Sequence, residues 1–132
     1  MLGLRVAHSV ACSEVEGPFR RHVVWVQGCT LACPGCCNPE LFPAAGGRWR
    51  AVGELRAELG EARALHGVEG LTLLGGEPSE QLAGATALCE AARGLGLGVI
   101  LFSGRARGEL AGLAGGAALL AVTLPVGRGE RI

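Results

Sequence analysis

Four cysteines within nine residues, Cys29, Cys33, Cys36 and Cys37, constrain this chain more than any other feature. They follow Arg21–Gln27 (RHVVWVQ), a run of β-branched and aromatic residues that reads as a strand covered on both faces. The Gly- and Pro-rich stretch over 28–49 reads as a long ordered loop, and a loop of that length in a compact domain needs a reason. A bound metal centre supplies one. The even total of six cysteines is compatible with disulfides, but the opening MLGLRVAHSVACSEVEG lacks a signal-peptide pattern, its apolar stretch being broken by Arg5, His8 and Ser9. We therefore expect a cytoplasmic protein whose clustered thiols bind metal.

The length of 132 residues fits one domain spanning 1–132, and is roughly half of what a complete eight-stranded (β/α) barrel requires. Hydrophobic residues at 49% and charged residues at 18% exclude a disordered chain. The 12 basic residues are all Arg and the 12 acidic residues all Glu, so the formal charge is zero. That balance leaves no electrostatic footprint for nucleic acid or an anionic membrane surface, and no window reaches 18 uncharged apolar residues. Neither nucleic acid nor a membrane is expected as a partner.

Periodicity places a first strand over Leu4–Cys12 and a helix over Ala51–His66, with Val52, Leu55, Leu59 and Ala62 on one stripe and Gly67 as its stop. A strand over Val68–Leu74 runs into Gly75-Gly76-Glu77-Pro78, followed by a helix over Glu80–Arg93. Leu97–Phe102 reads as a strand, Ala106–Leu113 as a short helix and Ala117–Leu124 as a last strand. The order β-β-loop-α-β-α-β-α-β predicts an α/β fold, an open partial (β/α) barrel with a mostly parallel sheet.

The cysteines of Cys29-Thr-Leu-Ala-Cys33-Pro-Gly-Cys36 are spaced C-x3-C-x2-C. Thiolates suit zinc and iron-sulfur centres alike. A structural zinc site wants four ligands, and the adjacent Cys36 and Cys37 make an awkward chelate for one ion. Three thiolates can instead hold three irons of a four-iron cube, leaving the fourth open. Gly75 and Gly76 at the end of a parallel strand permit close backbone approach to a ligand, and Pro78 stiffens the departing chain. Read alone, the same four residues fit a plain strand-to-helix turn better than a ligand site.

The cysteine spacing after a strand, joined one crossover later by Gly-Gly-Glu-Pro, resembles the radical S-adenosylmethionine family. EGPFRRHVVWVQGCTLACPGCCNPELF resembles in particular the small activating enzymes of glycyl-radical proteins, the anaerobic ribonucleotide reductase activase group. The resemblance runs from about Arg5 to Gly104. It implies that Cys29, Cys33 and Cys36 ligate a [4Fe-4S] cluster whose open iron binds S-adenosyl-L-methionine, cleaved reductively to methionine and a 5′-deoxyadenosyl radical. It also implies that Gly75, Gly76, Glu77 and Pro78 meet the methionyl end, with Glu77 either contributing a carboxylate or holding the loop, and that Ser103 and Gly104 line the pocket. The implied partners are a glycyl-radical protein or peptide as substrate, and a flavodoxin or ferredoxin as electron donor.

Two departures stand out. Cys37 occupies the place where the family has a bulky residue packing on adenine, while Asn38 and Pro39 match the activase-like loop. The ending AALLAVTLPVGRGERI offers no Asp where related activases continue with a strand carrying an acidic residue. These departures favour an alternative, a catalytically inactive or truncated [4Fe-4S] or zinc-binding protein.

Other residues carry weaker readings. Glu16, Gly17 and Pro18 form a turn that also suits a cleft border. Arg20 and Arg21 suit either a cofactor carboxylate, an acidic partner or an exposed strand end. Trp25 reads as core, Gln27 as a hydrogen-bonding neighbour of the loop, and Cys12 and Cys89 as buried thiols. His8, His22 and His66 show no metal-ligand spacing.

Overall fold

The computed structural model describes residues 2–14, 19–28, 47–103, 107–113 and 115–121. In chain order they form β1 (Gly3–Ser13), β2 (Arg21–Val26), β3 (Arg48–Ala51), α1 (Val52–His66), β4 (Gly70–Gly75), a 3-10 turn (Pro78–Gln81), α2 (Leu82–Gly94), β5 (Gly98–Leu101), α3 (Arg107–Gly112) and α4 (Gly116–Ala121). The five strands make one open sheet in the order β3-β1-β2-β4-β5.

The expected mostly parallel sheet is corrected to a mixed one. β2, β4 and β5 are parallel, whereas β1 is antiparallel to both β2 and β3. Chain length explains the difference, because a parallel crossover needs about a dozen residues or more and only 14–20 separate β1 from β2. A register shift between Val6 and His8 moves His8 to the face of Trp25, their rings 5.4 Å apart, and leaves Ser9 opposite Val24.

Alternation sorts the strands cleanly. Leu4, Val6, Val24, Val26, Leu71, Leu73, Val99 and Leu101 form one apolar cluster with Leu55, Leu59 and Ala62 of α1 and Ala85, Leu88, Cys89 and Ala92 of α2. Leu110 of α3 and Leu119 of α4 complete it. Val23, Thr72 and Ile100 take the opposite parity and are also buried. Trp25, expected in the core, is half-buried on that opposite face beside His8.

Local signals account for the elements between the strands. α1 begins where the Glu54 carboxylate accepts the Ala51 N–H at 3.1 Å, the half of a capping box that an alanine cap permits. It ends at Gly67, whose left-handed φ of 65° lets its N–H reach the Arg63 carbonyl at 3.1 Å. The expected loop over 28–49 closes earlier, because Arg48–Ala51 pairs with Gly3–Val6 as the edge strand β3. Within the expected last strand over Ala117–Leu124, the described residues are helical, as α4, and 122–124 lie outside the described residues. An Ala/Leu run is a good helix former, and its apolar pattern does not distinguish the two structures.

Candidate functional site

Cys29, Cys33, Cys36, Cys37, Asn38 and Pro39 lie outside the described residues, as do Glu16, Gly17, Pro18 and Gly104. The chain entering the cysteine segment is described through Gly28, and it meets the Gly-Gly-Glu-Pro segment directly. Gly75 ends β4 opposite Val26, with φ at 115°. The Gly76 N–H donates to the Val26 carbonyl at 2.9 Å and the Glu77 N–H to the Gly28 carbonyl at 2.8 Å. A Cβ on Gly76 would stand 2.3 Å from the Gly28 oxygen, and one on Gly75 would stand 2.5 Å from the Val26 nitrogen. Among the described residues, the close approach these glycines permit is therefore to the backbone leading into Cys29.

Glu77 is 1% exposed. Its Oε2 accepts the Ser79 N–H at 3.1 Å, the Ser79 hydroxyl at 2.6 Å and the Ser103 hydroxyl at 2.6 Å. Three donors on one buried oxygen compensate its desolvation, so this carboxylate holds the turn and ties it to the chain after β5. Pro78 opens the buried 3-10 turn, where its missing N–H is unimportant. The structure thus brings Gly75, Gly76, Glu77, Pro78 and Ser103 together at the C-terminal ends of β4 and β5, where open α/β sheets bind ligands. Ser79 belongs to the same cluster and carries no sequence signal beyond its place after Pro78.

The arginines lie elsewhere. Arg21 opens β2, at the end of the sheet opposite the Gly-Gly-Glu-Pro turn, and is 3% exposed. Its Nε donates to Thr72 Oγ1 at 2.7 Å, and its Nη2 donates to the carbonyls of Leu71 and Gly98, each at 2.8 Å. Burial pushes the Arg21 pKa down, and Glu69 opposes the shift. Arg20 is exposed beside Glu14 at 3.6 Å and donates to the His66 carbonyl at 3.1 Å. Both serve the base of the sheet, a role their sequence position left open.

A second buried polar group escaped sequence reading. His22 is fully buried, with Nδ1 3.1 Å from the Ala11 carbonyl and Nε2 3.1 Å from Glu58 Oε1. The latter contact is off-line for a hydrogen bond, so it is a polar approach rather than an aligned bond. Glu58 also accepts from the Ser9 hydroxyl at 3.0 Å and Arg50 Nη2 at 2.8 Å. Burial raises the Glu58 pKa, but these hydrogen bonds together with the His22 and Arg50 charges outweigh it and hold the pKa below the usual value.

Cys89 is buried on the core stripe of α2, where desolvation, with Glu90 adding, pushes its thiol up to about 12. Cys12 is half-buried. Among the described residues no three His, Cys or Glu side chains form a metal-binding group, and no helix is long and apolar enough to cross a membrane.

The anaerobic ribonucleoside-triphosphate reductase-activating protein of Enterobacteria phage T4 is 37% identical over 70 residues, 51% of this chain and 42% of that protein. The pyruvate formate-lyase-activating enzyme of Clostridium pasteurianum is 42% identical over 53 residues, 39% of this chain and 22% of the enzyme. Its counterpart from Listeria monocytogenes is 34% identical over 78 residues, 57% of this chain and 32% of the enzyme. The aligned region thus spans less than half the length of each of these relatives. A family model described as a 4Fe-4S single cluster domain matches residues 15–121. The chain belongs to the 4Fe-4S single cluster domain family.

Proposed function

We propose that this chain is a radical S-adenosylmethionine protein of the activating type. The observation that carries the reading is the fastening of the Gly-Gly-Glu-Pro turn to the backbone just before Cys29, through the Glu77 N–H and the packing of Gly76 on Gly28. The turn thereby meets the chain that leads into the cysteine motif, at the end of the sheet suited to a ligand. The donor set also fits a cluster: Cys29, Cys33 and Cys36 supply three soft thiolates, one fewer than a four-iron cube has irons.

In this reading those three cysteines hold a [4Fe-4S] cluster, and the Gly75–Pro78 turn with Ser103 borders the site of S-adenosyl-L-methionine. The chemistry a bound cluster supplies is one-electron cleavage of the sulfonium to methionine and a 5′-deoxyadenosyl radical. The chain's own residues orient and enclose. Glu77 locks the turn, Ser103 fixes the exit of β5 against it, and Gly76 keeps the turn within hydrogen-bond distance of Gly28. The T4, Clostridium and Listeria relatives are named as activators of other enzymes, a ribonucleoside-triphosphate reductase and a pyruvate formate-lyase. That supports a protein substrate, in this reading a glycyl-radical protein or peptide. Electrons would come from a flavodoxin or ferredoxin, in the cytoplasm.

One observation favours a second reading, cluster binding without turnover. Helix α4 lies where sequence led us to expect another strand, so β5 remains the sheet edge among the described residues. Anaerobic reconstitution with iron and sulfide, then reduction with S-adenosyl-L-methionine, separates the readings through release of methionine and 5′-deoxyadenosine. A cluster without cleavage selects the second reading, and no cluster refutes both. Cys29→Ala, Cys33→Ala and Cys36→Ala should each abolish the intact cluster while Cys37→Ala leaves it.

A further inference from the structure

The β1–β2 ladder reaches its last register pair at Val6 and Val26. Beyond it the Gln27 N–H still donates to the Arg5 carbonyl at 2.9 Å, while the Arg5 N–H and the Gln27 carbonyl are met by a side chain. Gln81, which ends the 3-10 turn, accepts the Arg5 N–H on Oε1 at 2.8 Å. Its Nε2 donates to the Arg5 carbonyl at 3.2 Å and to the Gln27 carbonyl at 2.9 Å. The primary amide thus bridges the Arg5 N–H and the Gln27 carbonyl, accepting from one and donating to the other where the two strands no longer pair them directly. Arg5 in turn reaches forward in the chain, its Nη2 donating to the Gly47 carbonyl at 3.1 Å. Gly47, with φ at 70°, packs so closely that a Cβ would stand 2.8 Å from the Val6 oxygen and 2.9 Å from Gln27 Cβ. Gln27 precedes the cysteine segment and Gly47 follows it.

We propose that Gln81 is a positioning residue for the cysteine segment. Its amide binds the chain that enters the segment, and through Arg5 it is linked to the chain that returns. This inference rests on the proposed function, since its role is to fix the ends of the segment that bears the three ligating thiolates.

The test uses the full chain carrying Gln81→Met, similar in length but without the amide, reconstituted anaerobically beside the wild type. The variant should take up the cluster but lose its iron to a chelator about tenfold faster, the equivalent of one to two net hydrogen bonds. The electron paramagnetic resonance signal of the reduced cluster should change in shape, and the metal-free variant should still unfold cooperatively. Gln81→Glu keeps the acceptor for Arg5 but turns an oxygen toward two carbonyls, so it should lose iron at least as fast. Equal iron retention and an unchanged signal in both variants would overturn the role of Gln81 while leaving the proposed function intact. Loss of cooperative unfolding would make Gln81 a residue of the whole fold and overturn the narrower role. Absence of a cluster in the wild-type chain would overturn the proposed function and this role with it.

Discussion

Replacing Gly76 with alanine should damage the junction between the Gly-Gly-Glu-Pro turn and the chain leaving β2 far more than one methyl suggests. The added Cβ would lie 2.3 Å from the Gly28 oxygen and 2.8 Å from its carbonyl carbon, both backbone atoms. Ordinary carbon contacts need about 3.5 Å, so the two segments must separate by roughly 1 Å. That movement takes the 2.9 Å Gly76–Val26 and 2.8 Å Glu77–Gly28 hydrogen bonds out of range. Overpacking costs about 1–3 kcal/mol and each lost bond about 0.5–1.5 kcal/mol, giving roughly 3 kcal/mol after partial relaxation. Gly60 provides the control, since it lies within α1 with nothing within 4 Å of its Cβ position. There the same substitution should stabilise by about 0.5–1 kcal/mol through helix propensity. Urea unfolding of the reduced, metal-free chain, followed by circular dichroism, measures both. With a slope of about 1–3 kcal/mol/M, the Gly76→Ala midpoint should fall by at least about 1 M and the Gly60→Ala midpoint should rise by a few tenths. A Gly76→Ala midpoint equal to that of the wild type would refute the close approach.

Glu58 gives a pH-dependent contribution of defined sign. Because its folded pKa is depressed, its stabilisation is fully present above the unfolded value near 4.5 and is lost as pH falls through the lower folded value. Glu58→Gln should therefore destabilise at pH 7 in urea titrations, with the difference from wild type shrinking as the pH is taken below about 4.5. A gap that widens in acid would contradict the assignment. Cys89, its thiol pushed up to about 12 inside the core, should resist iodoacetamide at pH 8 in the folded chain, whereas the half-buried Cys12 is alkylated sooner. Peptide mass mapping before and after denaturation reads this directly, and early labelling of Cys89 would show that α2 is not packed as described.

Much of the fold was legible where one force decides the outcome. RHVVWVQ gives β2 because an apolar, β-branched run has few other uses, and Gly67 stops α1 because its left-handed φ suits glycine. The expected and observed limits of β1, β4, α2, β5 and α3 differ by only a few residues. What escaped depends on partners distant in sequence. Nothing in Arg-Trp-Arg-Ala announces β3 until Gly3–Val6 offers it an edge, and the direction of β1 follows from the short connection rather than from its composition. The apolar run in α4 serves either period. The candidate site shows the same division. Gly-Gly-Glu-Pro marked the turn, but that Glu77 binds Ser103, and that Gly76 abuts Gly28, are facts of packing between separate segments. The burial of His22 beside Glu58 is another.

The near contact of Gly47 with Gln27 bears on how such a chain could have changed over its history. A stretch whose two ends touch is, to the rest of the sheet, an insertion of arbitrary length. Doubling such a stretch adds only about 0.6 kcal/mol of closure entropy. Mutations that lengthen, shorten or exchange residues 29–46 can therefore arise without first being filtered by the closure of the sheet at Gln27 and Gly47. The scaffold and this segment can be inherited as separable parts, and a transplant of the segment between related scaffolds must match the geometry at Gln27, Gly28 and Gly47.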